Sequence, residues 1–193
     1  MNSCKTLRML IGRHVKLYFK DKMTFFTSLL TPLILLVLFV TFLRSVYISS
    51  FNAFIPEGIE IEDSLINAFT GGWLMSSILG VSTVTIAFCS NIVMVQDRIS
   101  GSVDDLLAAP LRKNLLAVSY YLSNFITTFV VCIITAAVGF LYLAAVGWYL
   151  SVSDVLLIIG DVLLGTLFGT SLAAVAEHFI STQGGISAVA TLV

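Results

Sequence analysis

Between Lys113 and Asp154 the chain reads NLLAVSYYLSNFITTFVVCIITAAVGFLYLAAVGWYLSVS (Asn114–Ser153), 40 residues without an Asp, Glu, Lys or Arg. About 20 apolar residues suffice to cross a bilayer core as a helix. The run therefore predicts one long spanning helix over residues 119–148, with Trp148 and Tyr149 at the headgroup level that both side chains favour. Working outward, Met23–Leu43 gives 21 uncharged residues and a span over 23–43. The uncharged stretch between Asp63 and Asp97 predicts a span over 71–95, with 65–70 at the interface. A fourth span is expected over 155–176, interrupted by Asp161. After Glu177 and His178 a fifth apolar run covers 180–193, too short to cross, so the sequence is expected to break off inside a fifth span.

The composition agrees. The 193 residues are 58% hydrophobic and 11% charged, with mean hydropathy +1.03. A soluble domain carries roughly a quarter charged residues, and this much apolar surface belongs in a bilayer. Such runs are too long and continuous for barrel strands, and helices satisfy their own backbone in lipid. The expected fold class is all-α: a polytopic helical membrane domain over 1–193, with an N-terminal surface helix, four complete spans and part of a fifth. A basic start followed by an apolar run also marks secretory signals, but 21 residues exceed the usual length and no A-x-A-like site follows Leu43. Cys4, Cys89 and Cys132 show no CxxC and have no neighbouring His. They read as small packing residues, not as a disulfide framework or zinc site.

Orientation follows from the basic residues. The first 22 residues hold six Lys or Arg, the loop from Arg44 to Asp63 one, the loop from Gln96 to Asn114 three, and residues 149–153 none. That alternation places the N-terminus and the second loop in the cytoplasm.

Residues 4–22 form an amphipathic pattern. At 100° per residue Leu7, Leu10, Ile11, His14, Val15, Leu17 and Tyr18 share one face, and Lys5, Arg8, Arg13, Lys16 and Lys20 the other. This is the pattern of a helix lying in the membrane surface with basic side chains toward anionic lipid headgroups. It serves either as an anchor or as a surface that also touches a cytoplasmic partner.

The loop after the second span reads QDRISGSVDDLLAAPLRK (Gln96–Lys113). Ser102 followed three residues later by Asp105 resembles a capping box, Asp104 and Asp105 suit a helix N-terminus, and Pro110 forces a stop. A short cytoplasmic helix is expected over 101–110, showing Leu106 and Leu107. It is either a capped connection or a rigid element that receives force from a soluble partner.

The order of these features resembles the type-2 ABC transporter permease family, especially bacterial drug and antibiotic exporters. The resemblance rests on the basic surface helix, Thr31-Pro32 in the first span, Gln96-Asp97-Arg98-Ile99-Ser100-Gly101-Ser102, then Leu106-Leu107-Ala108-Ala109-Pro110, and Phe179–Ala188 at the start of a fifth span. Gln96 stands where the family often has Glu, and the family usually has six spans. The resemblance implies a multi-pass permease subunit in a bacterial cell membrane that exports drugs, lipids or other amphipathic molecules. It implies an ABC ATPase subunit as partner, contacted by Asp97, Arg98, Gly101, Ser102, Asp104, Asp105, Leu106, Leu107 and Pro110 of a coupling helix. A second permease subunit, identical or different, would complete the assembly. No cofactor is expected on this chain, ATP and Mg being held by the ATPase, and no nucleic acid.

Asp161 is either interfacial, a structural contact, or a group acting on substrate or protons, because a carboxylate at membrane depth is costly. The sequence has no G-x-x-x-x-G-K-[ST], HExxH or G-x-S-x-G, so an enzyme is not expected. Two other classes are a transporter driven by an ion gradient, for which Asp161 alone is thin, and a membrane anchor or assembly protein.

Overall fold

The computed structural model describes residues 3–54, 63–108, 112–148 and 150–179. Among them the order is α1 (Ser3–Lys20), α2 (Lys22–Leu38), a π-helical turn (Phe39–Leu43), α3 (Arg44–Phe54), α4 (Asp63–Ser90), α5 (Ile92–Ile99), α6 (Ser102–Ala108), α7 (Lys113–Val146) and α8 (Val152–Phe179), with no strand. Four helical stretches are long and apolar enough to cross a membrane: Lys22–Phe51, Ser64–Ile99, Lys113–Ala145 and Val152–Ala176. The all-α, polytopic architecture read from the sequence is the one observed. The fifth apolar run, 180–193, lies outside the described residues.

The helices do not end where the charge-free runs end, because caps and glycines end a helix, while a charged residue does not. Asp21 separates α1 from α2 by accepting from the Met23 N–H at 3.1 Å and the Thr24 hydroxyl at 2.6 Å, a side-chain cap on orphan donors. At the start of α8 the bond runs the other way along the chain: Asp154, in the first turn, reaches back to accept from the Ser151 N–H at 2.8 Å. Gly147 closes α7 with φ 149°, its N–H donating to the Leu143 carbonyl.

The bundle is built around α4, which packs against α2, α7 and α8. Met75, Leu79 and Ile86 of α4 form the core with Val131, Cys132, Ala136 and Leu143 of α7, Val162 of α8 and Tyr18 of α1. Chain polarity is absorbed locally. The hydroxyls of Thr70, Thr127, Thr135 and Thr170 each donate to the carbonyl four residues back, at 2.7, 2.7, 3.1 and 2.7 Å. Asn91 interrupts the helix between α4 and α5. Its amide donates to the Ala173 carbonyl of α8 at 3.3 Å and its oxygen accepts from Asn124 of α7 at 3.4 Å.

Small residues set the approach of α8 to α4. A Cβ added at Gly169 would stand 2.6 Å from the Thr83 carbonyl oxygen, and one at Gly165 3.1 Å from the Thr83 methyl. Gly165 and Gly169 are four apart, the close-packing spacing of membrane helices. Gly160, on the same helix, meets nothing within 4 Å. Ala is about 1 kcal/mol better than Gly inside a helix, so Gly160→Ala should be neutral or stabilising. Gly169→Ala should destabilise by about 1–3 kcal/mol, because it collides with backbone. Reversible unfolding of the two variants in detergent checks the contrast.

Candidate functional site

Where α1, α5, α6 and α7 meet, the chain builds a charged junction. Asp97 sits near the end of α5, 6% exposed. Arg13 of α1 grips it with two parallel bonds, NH1 to Oδ2 at 2.7 Å and NH2 to Oδ1 at 3.1 Å, the fork geometry that makes Arg–carboxylate pairs strong. The Tyr120 hydroxyl of α7 donates to the same Oδ2 at 2.7 Å. One carboxylate thus joins three helices.

His14 lies beside it, 1% exposed, its ring stacked on Tyr120 with centroids 4.0 Å apart and planes 11° from parallel. Its Nε2 is 3.9 Å from Asp97 Oδ2, and neither ring nitrogen has a hydrogen-bond partner among the described residues. A cleft of about 10 Å³, lined by His14, Ser90, Asn91, Ser123 and Asn124 among others, adjoins the ring. That is about the room one water needs. Burial, and then the neighbouring Arg13 charge, hold the His14 imidazole down to about 4 from an ordinary 6.5, against the pull of Asp97.

Helix α1 is therefore docked as well as amphipathic. Thr6, Leu10, His14 and Tyr18, four apart, are its buried stripe, and Tyr18 shares a 2.8 Å hydrogen bond with Ser28 of α2. Lys5, Arg8, Lys16 and Lys20 are exposed, as expected of a basic face. Arg13, placed on that face by the sequence pattern, is drawn inward by Asp97.

The loop helix also differs from its reading. The box expected from Ser102 and Asp105 does not form: the Ser102 hydroxyl bonds that of Ser100 at 2.9 Å. Gly101 at φ 75° makes the turn instead, and its carbonyl accepts from the Asp104 and Asp105 N–H groups at 3.0 and 3.3 Å. A left-handed residue suits glycine, so α6 starts at Ser102. Asp104 and Asp105 are exposed, as is Arg98. Leu106 and Leu107 are half-buried and pack, with Val103, on Leu10, Leu116 and Tyr120. Only part of each is open to a partner's groove. Asp97 faces inward. Pro110 lies outside the described residues.

Asp161 is not at this junction. It lines a separate cavity between α4, α7 and α8. Sequence reasoning did not find Tyr120, Asn91 or Asn124 because polar residues inside an uncharged run carry no partner signal. Among the described residues no three His, Cys, Asp or Glu side chains come together as a metal site would require.

Two predictions follow from the junction's geometry. Asp97→Asn loses the charged acceptor of two helices and should weaken α1 docking by about 1.5–3 kcal/mol, the range for hydrogen bonds to charged groups. The lower end is expected, since the Arg13 side chain is 36% exposed and solvent screens it. Faster amide exchange across α1 with α4 unchanged is the readout. The second concerns pH. Because His14 binds its proton near 4 when docked and near 6.5 when free, the undocked chain takes up protons first. The stabilisation from neutral His14 is complete above 6.5 and is lost as pH falls toward 4. Exchange in α1 should accelerate through that window, and His14→Gln should flatten the His14-dependent part of the profile.

Searches of curated proteins and of solved structures find no match. The family profile of the ABC-2 type transporter matches residues 5–193, a range that takes in the docked α1, the four spanning stretches and α6. This chain belongs to the ABC-2 type transporter family, as a membrane permease subunit of an ABC transporter.

Proposed function

We propose that this chain is the membrane half of an ATP-driven exporter that moves amphipathic molecules outward across the cell membrane, with its N-terminus and α6 in the cytoplasm. One observation carries the reading: the Asp97 carboxylate ties α1, α5 and α7 together within five residues of the start of α6. A seven-residue helix cannot hold an orientation by itself. Packed by Leu106 and Leu107 onto Leu10 and Leu116, α6 becomes part of a block that can pass a push from an ATPase into α5 and α7. Its outward face then carries Asp104 and Asp105 and the open portions of the two leucines. ATP and Mg act on the ATPase, and this chain translates their effect into a bias between inward-open and outward-open states.

A second permease subunit fits the distribution of burial. In the most apolar window of each span, 61% of α4–α5 is buried, against 17% for the stretch containing α2 and 22% for α8. The outer helices keep faces for lipid or for a partner.

The test uses the chain co-expressed with its ATPase. Leu106→Ala with Leu107→Ala should weaken ATPase co-purification and abolish coupled export, since a buried anchor contributes at least ~1 kcal/mol. Insertion should stay normal, because neither residue lies in a spanning stretch. Asp104→Asn alone should cost less, about 0.3–1 kcal/mol for helix-end electrostatics. Normal binding and export by the double variant would reduce α6 to a connection between spans.

A further inference from the structure

Asp161 stands seven residues beyond Asp154, in the first turn of α8, which is about 10 Å deeper along the axis at 1.5 Å per residue. It is not interfacial by that measure. It is exposed and stands at the rim of a cavity of about 240 Å³, which it lines with Gly72, Met75 and Ser76 of α4 and Leu157 and Ile158 of α8. Among the described lining residues Ser76 is the only other one with a polar side chain, and Asp161 has no hydrogen bond or ion pair to any described residue.

A carboxylate at this depth requires a counter-charge or a proton. The chain's own residues offer no cation. Residues 114–193 contain no Lys or Arg, so α7, α8 and the fifth apolar run supply none, nor would a second copy of those segments. His178 is at the far end of α8. Arg44, the single basic residue at the end of the bundle nearer Asp161, already donates to Asn67 at 2.9 Å. Among the described residues no three His, Cys, Asp or Glu side chains gather here as a metal site would require. What fits one carboxylate in a mostly apolar wall is an organic cation whose charge sits on an apolar body. Pockets for drug-sized ligands run from about 300 Å³ upward, so this cavity holds the head and the adjoining ring or alkyl segment. Leu157, 72% exposed, continues the apolar surface outward for the rest.

We infer that the α4–α7–α8 cavity is a binding site for cationic amphipathic molecules, with Asp161 as the group that selects positive charge. The inference deepens the export reading and rests on it for biological meaning, but its test needs no ATPase, so the two fail separately. The full chain in lipid nanodiscs is equilibrated with a radiolabelled arylalkyl-trimethylammonium, and in parallel with its neutral isostere bearing a tert-butyl head. The native chain should prefer the cation by on the order of tenfold or more, the scale of one hydrogen bond or contact to a charged group. Asp161→Asn, of nearly the same shape, should erase that preference while still binding the neutral isostere. Asp161→Glu should restore it. Gly72, whose Cβ position meets no atom within 4 Å, permits Gly72→Ile as a filling variant that should weaken both ligands together. If Asp161→Asn keeps the native preference, or Gly72→Ile leaves both affinities unchanged, the cavity is not the site. Equal binding of the two probes by the native chain would likewise overturn the assignment.

Discussion

Hydrocarbon offers no hydrogen-bond partner, and this single constraint organises most of the molecule. Every span is helical because a helix satisfies its own backbone. The hydroxyls that the sequence scatters through the spans do the same, Thr70, Thr127, Thr135 and Thr170 returning to carbonyls of their own helices. Where one helix cannot meet the demand, its neighbours do. Asn91 breaks the line between α4 and α5, and its amide is matched by α7 and α8 at once. The break thereby becomes a fixed point of the bundle. Close approach at such points requires small residues, which accounts for Gly165 and Gly169 facing Thr83.

Charge obeys the same constraint with larger stakes. Asp97 comes at the end of a spanning stretch and is taken up wholly inside the chain, by Arg13 and Tyr120. Breaking a buried pair leaves one charge uncompensated, so α1 cannot leave its seat while Asp97 stays buried. The amphipathic helix both exposes a basic face, Lys5, Arg8, Lys16 and Lys20, and docks through the stripe Thr6, Leu10, His14 and Tyr18. Asp161 has no such internal answer among the described residues. The two carboxylates differ in what meets them: Asp97 is gripped by a guanidinium, and Asp161 is exposed beside a mostly apolar cavity.

The spans were legible because a 20-residue charge-free run admits few other readings. The junction was not. Helical periodicity tells which residues share a face but not what that face meets. Arg13 sits at the edge of the basic face, adjacent in sequence to buried His14, and only the position of Asp97 in space decides that it turns inward. The loop helix was legible in existence; its expected end at Pro110 lies outside the described residues. Its start shifted by one residue because Gly101 offered a conformation that a serine cap did not need to compete with. The two leucines illustrate the limit most clearly: exposed apolar residues in a loop are expected to seek a partner, and here they found one first in Leu10 and Leu116 of the same chain.

These placements define a path. Gly101 is the only residue between α5 and α6 apart from Ser100, so the two helices cannot move far independently. Because α6 also leans on α1 and α7, a push on its exposed face loads the Asp97 junction directly. From there Asn91 connects the load to α8 through the Ala173 carbonyl, and the glycine contacts at Thr83 connect α8 back to α4. The helix ends at the junction are thus bonded to one another, while farther along, at Gly72 and Asp161, a cavity opens beside the packed α4–α7 contact of Met75 and Leu143. On the proposed reading, a displacement at the junction is carried along these packed helices to the cavity between α4 and α8. That is where a bound cation would feel the state of a distant ATPase, with no contact between the two.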